Sequence, residues 1–276
     1  MAYDNLEAVS ASFASEGVLH VQLNRPKKLN AFNKQLREEL HTVFKRVKFD
    51  PEVRAVVLSG NGKLFTAGLD LTTAGDLFED ADDPARQGHK IRINTLEPFQ
   101  DEISSVERCE RPVIAVVHNG CLGAGVDLIT ACDIRYCTQD AYFSVKEVDI
   151  GMAADVGTLQ RLPKIVGNDS LVREMCYTGR NVYAEEALKF GLVSKVLPTR
   201  EDALAEALKT AKLIAEKSPV AVLGTKVALI HARDHSVPDS LAFMATWNQG
   251  MLNTNDLGLA AQASLTKQKA PKFAKL

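Results

Sequence analysis

The chain has 276 residues, 46% of them hydrophobic and 25% charged, with a formal net charge of −2. That is enough apolar material for one large domain, or one domain with a small appendage. A charge balance this close to neutral excludes an obligate binder of nucleic acid or of an acidic membrane surface.

No apolar run approaches the length of a membrane span. The first twenty residues, which carry Asp4, Glu7 and Glu16 and no arginine, resemble neither a secretory signal nor a mitochondrial presequence. Five cysteines (Cys109, Cys121, Cys132, Cys137 and Cys176) form no C-x-x-C pair and have mostly apolar neighbours, so they read as reduced packing residues of an intracellular protein.

In chain order, Leu19, Val21 and Leu23 alternate with polar residues, which predicts a half-buried strand over 17–23. A basic loop, Asn24 to Asn30, follows. Leu36, Leu40, Val43, Phe44 and Val47 then fall on one helical face. Ala55 to Gly60 is a buried strand, and its exit, Phe65-Thr66-Ala67-Gly68-Leu69-Asp70-Leu71, is built of small residues. Glu79 to Asp83 reads as a solvated acidic loop, and 85–110 as a helical stretch interrupted near Pro98.

The stretch from Pro112 to Asp155 carries the chemistry. Val113 to Val117 has the length and β-branching of a buried strand and stops at Asn119-Gly120. Gly123-Ala124-Gly125 then opens a short apolar helix containing Asp127 and Leu128. Strand, small-residue loop and helix together leave backbone N–H groups free to point at a ligand oxygen. Two such exits, one after each buried strand, suit two donors to one oxygen. Asp127, Glu147 and Asp155 follow in mostly apolar surroundings. Carboxylates are costly to bury unless paired, hydrogen-bonded or protonated, so a cluster in one pocket points to proton transfer. Each has a plainer alternative: Asp127 as a helix cap, Glu147 as a solvent-facing strand charge, Asp155 as the cap of a helix starting near Val156.

Beyond this stretch, 134–137 and 142–145 read as strands, 156–162 as a helix stopped by Pro163, 184–190 as a helix ended by Gly191, and 192–196 as a strand. From Arg200 the pattern is helical only: 201–217, 219–233 and 238–265, the last divided around Asn253-Thr254-Asn255. A boundary near residue 200 therefore divides an α/β part, 1–199, from a helical part, 200–276. The strand, turn, helix units at 17–49, 53–70 and 112–132 suit a spiral of ββα turns. The final Ala274-Lys275-Leu276 differs by one conservative change from the S-K-L peroxisomal tripeptide, which an import receptor reads, and Pro271 and Lys272 suit an exposed tail.

The pieces L-N-R-P-K-K-L-N-A-F, F-T-A-G-L-D-L, R-P-V-I-A-V-V-H-N-G-C-L-G-A-G-V-D-L, A-C-D-I-R-Y-C, T-L-Q-R-L-P and A-L-K-F-G-L-V occur in order, and with them the chain resembles the crotonase, or enoyl-CoA hydratase/isomerase, superfamily over nearly its whole length. On K-E-V-D-I-G-M-A-A-D-V-G-T-L-Q-R-L-P it is most similar to the Δ3,5-Δ2,4-dienoyl-CoA isomerases. The resemblance implies an α/β fold, a spiral of ββα units whose helical C-terminal region builds trimers, usually paired into hexamers. It implies an acyl-CoA substrate, no metal or redox cofactor, and a reaction that removes a proton at C2 and adds one at C6 through a dienolate. By matching position, the backbone N–H groups of Leu69 and Ala124 would hold the thioester oxygen. Ala67, Gly68, Leu69, Asp70, Leu71 and Ala124 would line the substrate. Glu147 would serve C2 and Asp155 C6, while Asp127 tunes the pair. Arg25, Lys27 and Lys28, joined by Lys272 and Phe273 of the tail or of a neighbouring subunit, would face the CoA phosphates. Two other readings remain: a hydratase in which Asp127 and Glu147 activate water, and a non-catalytic binding protein on the same fold. Asp155 separates the first from the isomerase, because hydratases generally have glycine at the matching position. The net charge and the three intact acids weigh against the second.

Overall fold

The computed structural model describes residues 3–72, 83–268 and 271–276. Residues 79–82 of the acidic loop lie outside them; Asp83, its last member, caps the next helix by accepting the N–H of Arg86 at 2.9 Å.

A six-stranded sheet is ordered β1-β2-β3-β4-β6-β9. β1 (Val9–Ser15) pairs antiparallel with β2 (Val18–Leu23). β3 (Ala55–Gly60), β4 (Val113–Val117), β6 (Ile134–Thr138) and β9 (Lys195–Leu197) continue it in parallel. β3 and β4 are apolar almost throughout because both faces of the sheet are covered. Val56, Leu58, Val113, Ala115 and Val117 enter the larger core, and the alternate residues Ala55, Val57, Ile114 and Val116 enter a second one. β1 carries no sequence signal, because only Val9 of its residues is buried and the alternation that marks a half-buried strand is absent. A smaller sheet, β5 (Gly120–Leu122), β7 (Tyr142–Ser144) and β8 (Val182–Tyr183), stands beside the first.

α1 (Lys34–Phe49) buries the five apolar residues its periodicity marks, and its Asn33 cap accepts the N–H of Leu36 at 3.0 Å. α2 (Pro84–Ile91) runs through one widened turn, Arg92–Leu96, into α3 (Glu97–Arg108). The expected interruption at Pro98 is thus a change of register, the widened turn standing just before a proline that cannot donate to the helical ladder. α4 (Ala124–Thr130) is buried along its whole length. α5 (Thr158–Ile165) starts two residues later than expected and continues through Pro163, at the loss of one helical hydrogen bond two residues before its end. α6 (Asp169–Thr178) and α7 (Ala184–Lys189) complete this part.

α8 (Arg200–Ala215) lies beyond the boundary read at residue 200, yet its Ala203, Ala207, Ala211 and Ala215 are buried in the second core against Val57, Ile114, Val116 and Tyr136. Alanine at every fourth position lets the helix lie close on the sheet. α9 (Pro219–Asp234), α10 (Val237–Met251) and α11 (Asn255–Leu265) follow, α10 and α11 parting at Asn253-Thr254 as expected. These three expose Leu229, Leu241, Leu252, Leu257 and Leu259. The tail is anchored at Phe273, which is buried and whose carbonyl accepts Arg54 Nη2 at 2.7 Å; the residues on either side of the anchor, Lys272 and Ala274 to Leu276, are exposed. No helix among the described residues is long and apolar enough to cross a membrane.

Candidate active site

Two loops meet where β3 and β4 end. Phe32 and Leu69 form a parallel bridge in which Phe32 N–H donates to Gly68 O at 2.7 Å and Asp70 N–H to Phe32 O at 3.0 Å. Because those groups face Phe32, the N–H of Leu69, between them, faces the other way. Ala124 is the first residue of α4, so its N–H has no acceptor within the helix. Gly68 and Gly123 hold φ of +85° and +51°, and their closeness explains why they are glycine. A methyl on Gly68 would stand 2.8 Å from Leu122 O; one on Gly123 would stand 3.1 Å from Glu147 Oε1 and 3.8 Å from the Gly68 Cα. Both loops and the Glu147 carboxylate therefore converge on one place.

The acids gather beside them. Asp127, one turn into α4, is fully buried, and its Oδ1 accepts the N–H of Thr158 at 2.5 Å. Burial pushes its carboxyl up to about 6, against the pull of the Thr158 N–H, with the Asp155 charge adding to the rise. Glu147 is half-buried in a 3-10 turn, Lys146–Ile150, rather than on a strand. Burial first, and then the charge of Asp127, push it up to about 7. Asp155 is also raised, by burial. Asp127 Oδ2 and Glu147 Oε2 are buried with no hydrogen-bond partner among the described residues. The structure thus brings the three acids together, and it corrects the alternative in which Asp155 caps α5. The capping residue is Gly157, which has no side chain, and the N–H exposed there goes to Asp127.

The other residues singled out in the sequence divide. Ala67 N–H donates to Leu29 O at 2.9 Å, tying the Gly68 loop to the basic loop. Arg25 turns inward: its Nη1 lies 3.1 Å from Asp70 Oδ2 and also donates to Ala31 O. Asp70, 6% exposed, accepts the Thr72 hydroxyl as well. Lys27, Lys28 and Leu71 are exposed. Lys272 and Phe273 sit by Glu16 and Arg54, at the turn joining β1 to β2. Sequence reasoning missed Gly157, Thr158 and Arg161. Thr158 meets Asp127 across 31 positions, and no local pattern announces such a contact. Among the described residues, no three His, Cys, Asp or Glu side chains are grouped to hold a metal ion.

Two convergent N–H donors can stabilise an oxyanion, and carboxyls whose protonation changes near neutral pH can take a proton from carbon and return one. A two-sheet α/β fold with this site is suited to holding an enolate while protons move at carbon. Residues 14–273 match the family model described as enoyl-CoA hydratase/isomerase, and the chain belongs to that family, the crotonases. It is 51% identical over 276 residues to the mitochondrial Delta(3,5)-Delta(2,4)-dienoyl-CoA isomerase of Rattus norvegicus, covering 99% of this chain and 84% of that one. It is 41% identical to the peroxisomal Delta(3,5)-Delta(2,4)-dienoyl-CoA isomerase of Arabidopsis thaliana, covering 100% of this chain and 99% of that one. A crystal structure of enoyl-CoA hydratase from Bacillus anthracis superposes with a TM-score of 0.86 at 29% identity, covering 97% of this chain and 99% of that one.

Proposed function

We propose that this chain is a Δ3,5-Δ2,4-dienoyl-CoA isomerase of unsaturated fatty acid β-oxidation. The observation that supports the reading is the third acid, Asp155, coupled by charge to both Asp127 and Glu147 beside the Leu69 and Ala124 N–H groups. The thioester oxygen of a 3,5-dienoyl-CoA accepts those two N–H groups, which acidifies C2. Glu147 takes the C2 proton, and the electron pair passes along the diene as a dienolate. Asp155 delivers a proton to C6, leaving double bonds at C2 and C4. Asp127, held by Thr158, sets the charge that its two neighbours feel. No external oxidant, reductant or cofactor enters this balance.

Lys27 and Lys28, exposed at the mouth of the basic loop, are suited to the CoA phosphates, whereas Arg25 serves the loop itself. The exposed leucines of α9 to α11 support self-association as trimers, paired into hexamers, which sedimentation of the purified protein tests. The activity is tested by ultraviolet spectroscopy with a 3,5-dienoyl-CoA and, separately, a 2-trans-enoyl-CoA. Rapid growth of the conjugated 2,4-dienoyl band with little hydration is expected. Hydration alone would overturn the isomerase reading in favour of a hydratase.

A further inference from the structure

Behind the three acids lies an arginine that the reaction just described leaves unused. Arg161, on α5, is 9% exposed. Its Nη2 donates to Ser104 Oγ at 2.8 Å and lies 3.5 Å from Glu107 Oε2, both on α3. Glu107 is shared with Arg233 of α9, and Lys164 of α5 pairs with Asp234 of α9. Three cations (Arg161, Lys164, Arg233) thus meet two anions (Glu107, Asp234), leaving one positive charge over. Gln100, Ser104, Asp155, Arg161, Lys164 and Arg233 line a polar cavity of about 420 Å³ at this junction.

The surplus charge faces the acids. The guanidinium packs beneath the turn that leads from Asp155 into α5: a methyl on Gly157 would stand 2.0 Å from Arg161 Nη1 and 3.9 Å from Asp127 Oδ1. Gly157 holds φ of +142°, open to a residue without a side chain. Arg161 Nε, Thr158 Oγ1 and Asp127 Oδ2 are all buried there without a hydrogen-bond partner among the described residues. A guanidinium this deep is costly to keep unless its charge is answered.

We propose that Arg161 is a positioning residue for the three acids: it supplies the charge that holds Asp127 as the anion and, through Ser104 and Glu107, fixes the turn that presents Asp155. The inference rests on the isomerase reading. Its direction agrees with the electrostatics of Asp127, which burial raises and which Thr158 and Arg161 pull back. The groups facing Asp127 are Glu147 and Asp155, the thiols of Cys121 and Cys176, which burial pushes up, and Arg161 behind, with Glu107, Lys164, Arg233 and Asp234 around Arg161.

The test compares pH–rate profiles of the parent, Arg161→Met, Arg161→Lys and Ser104→Ala with a 3,5-dienoyl-CoA, each protein checked for folding by circular dichroism. Removing the cation makes Asp127 easier to protonate, so the acidic limb of Arg161→Met moves up by about one pH unit. Its kcat falls about tenfold or more, with KM within about twofold of the parent. Arg161→Lys, which keeps the charge but not the planar fork, keeps the limb at the parent position. Ser104→Ala, which removes one hydrogen bond and folds whether or not Arg161→Met does, moves the limb up by a few tenths of a unit, on the order of one lost hydrogen bond. Limbs of Arg161→Met or Ser104→Ala that coincide with the parent's would overturn the inference, as would Arg161→Lys displaced as far as Arg161→Met. A parent without dienoyl isomerase activity would overturn the functional reading instead.

Discussion

The carboxylate of Asp127 accepts the backbone N–H of Thr158 at 2.5 Å, joining α4 to the first residue of α5. The same short helix offers the Ala124 N–H at its start and Asp127 one turn on. The bond therefore links the helix start that offers the Ala124 N–H to the turn that carries Asp155, three residues before Thr158. One helix sets the spacing between that N–H and the Asp155 turn.

Charge burial at this site has a stability consequence. Glu147 has its carboxyl at about 7 in the folded chain against 4.5 for a free glutamate side chain. A carboxyl raised on folding favours the folded state while both states are protonated, and that advantage is lost as pH rises from about 4.5 through about 7. Glu147→Gln is expected to raise stability at pH 8 by up to about 3 kcal/mol and to change it little at pH 4, at the expense of activity. Denaturant titrations of both proteins at the two pH values measure this.

Gly68 is where the two loops touch. Gly68→Ala puts a methyl 2.8 Å from Leu122 O at a φ of +85°, so the Leu69 N–H is displaced. The expected result is a fall in kcat of about 10²–10³, the scale of losing one oxyanion donor, with a smaller change in KM. Steady-state kinetics on protein of parent secondary structure give the answer.

The basic loop separates into two jobs. Arg25→Ala removes the guanidinium that meets both the buried Asp70 and the Ala31 carbonyl and is expected to cost about 1–3 kcal/mol of stability. Lys27→Ala with Lys28→Ala is expected to leave stability unchanged and to raise KM for the CoA ester, more at low salt than at high. Thermal melts and KM at two ionic strengths distinguish them.

α8 belongs to the packing of the sheet. A chain ending at residue 199 would expose Val57, Ile114, Val116 and Tyr136, and is expected to be insoluble. Ala207→Leu, which forces a larger side chain between helix and sheet, is expected to cost about 1–3 kcal/mol in the full chain. Expression of the truncated chain and denaturation of the variant check both.

Much of this was legible in the residues. Buried strands announce themselves as apolar runs, so β3 and β4 were read with their observed bounds, and the five apolar positions of α1 fixed its inner face. The small residues at Gly68 and Gly123 marked the loops before any contact was visible, because close approach of backbone demands them. The exposed strand β1 left no such mark. The alanine stripe of α8 looked like an appendage because alanine is as common on free helices as under sheets. Asp127 and Asp155 both carry a helix cap as the alternative reading; Gly123 and Gly157 hold the N-cap positions of α4 and α5, and the Asp127 carboxylate accepts the Thr158 N–H instead, a pairing between distant segments that local spacing does not encode.

The central claim is that Asp155 exchanges the proton at C6, and the most direct measurement is single-turnover kinetics of Asp155→Asn with a 3,5-dienoyl-CoA, followed by growth of the 2,4-dienoyl band alongside CoA-ester binding. Binding within about twofold of the parent is expected, with a rate lower by about 10²–10⁴, the usual worth of a positioned acid or base. A variant that isomerises at the parent rate would remove Asp155 from the mechanism.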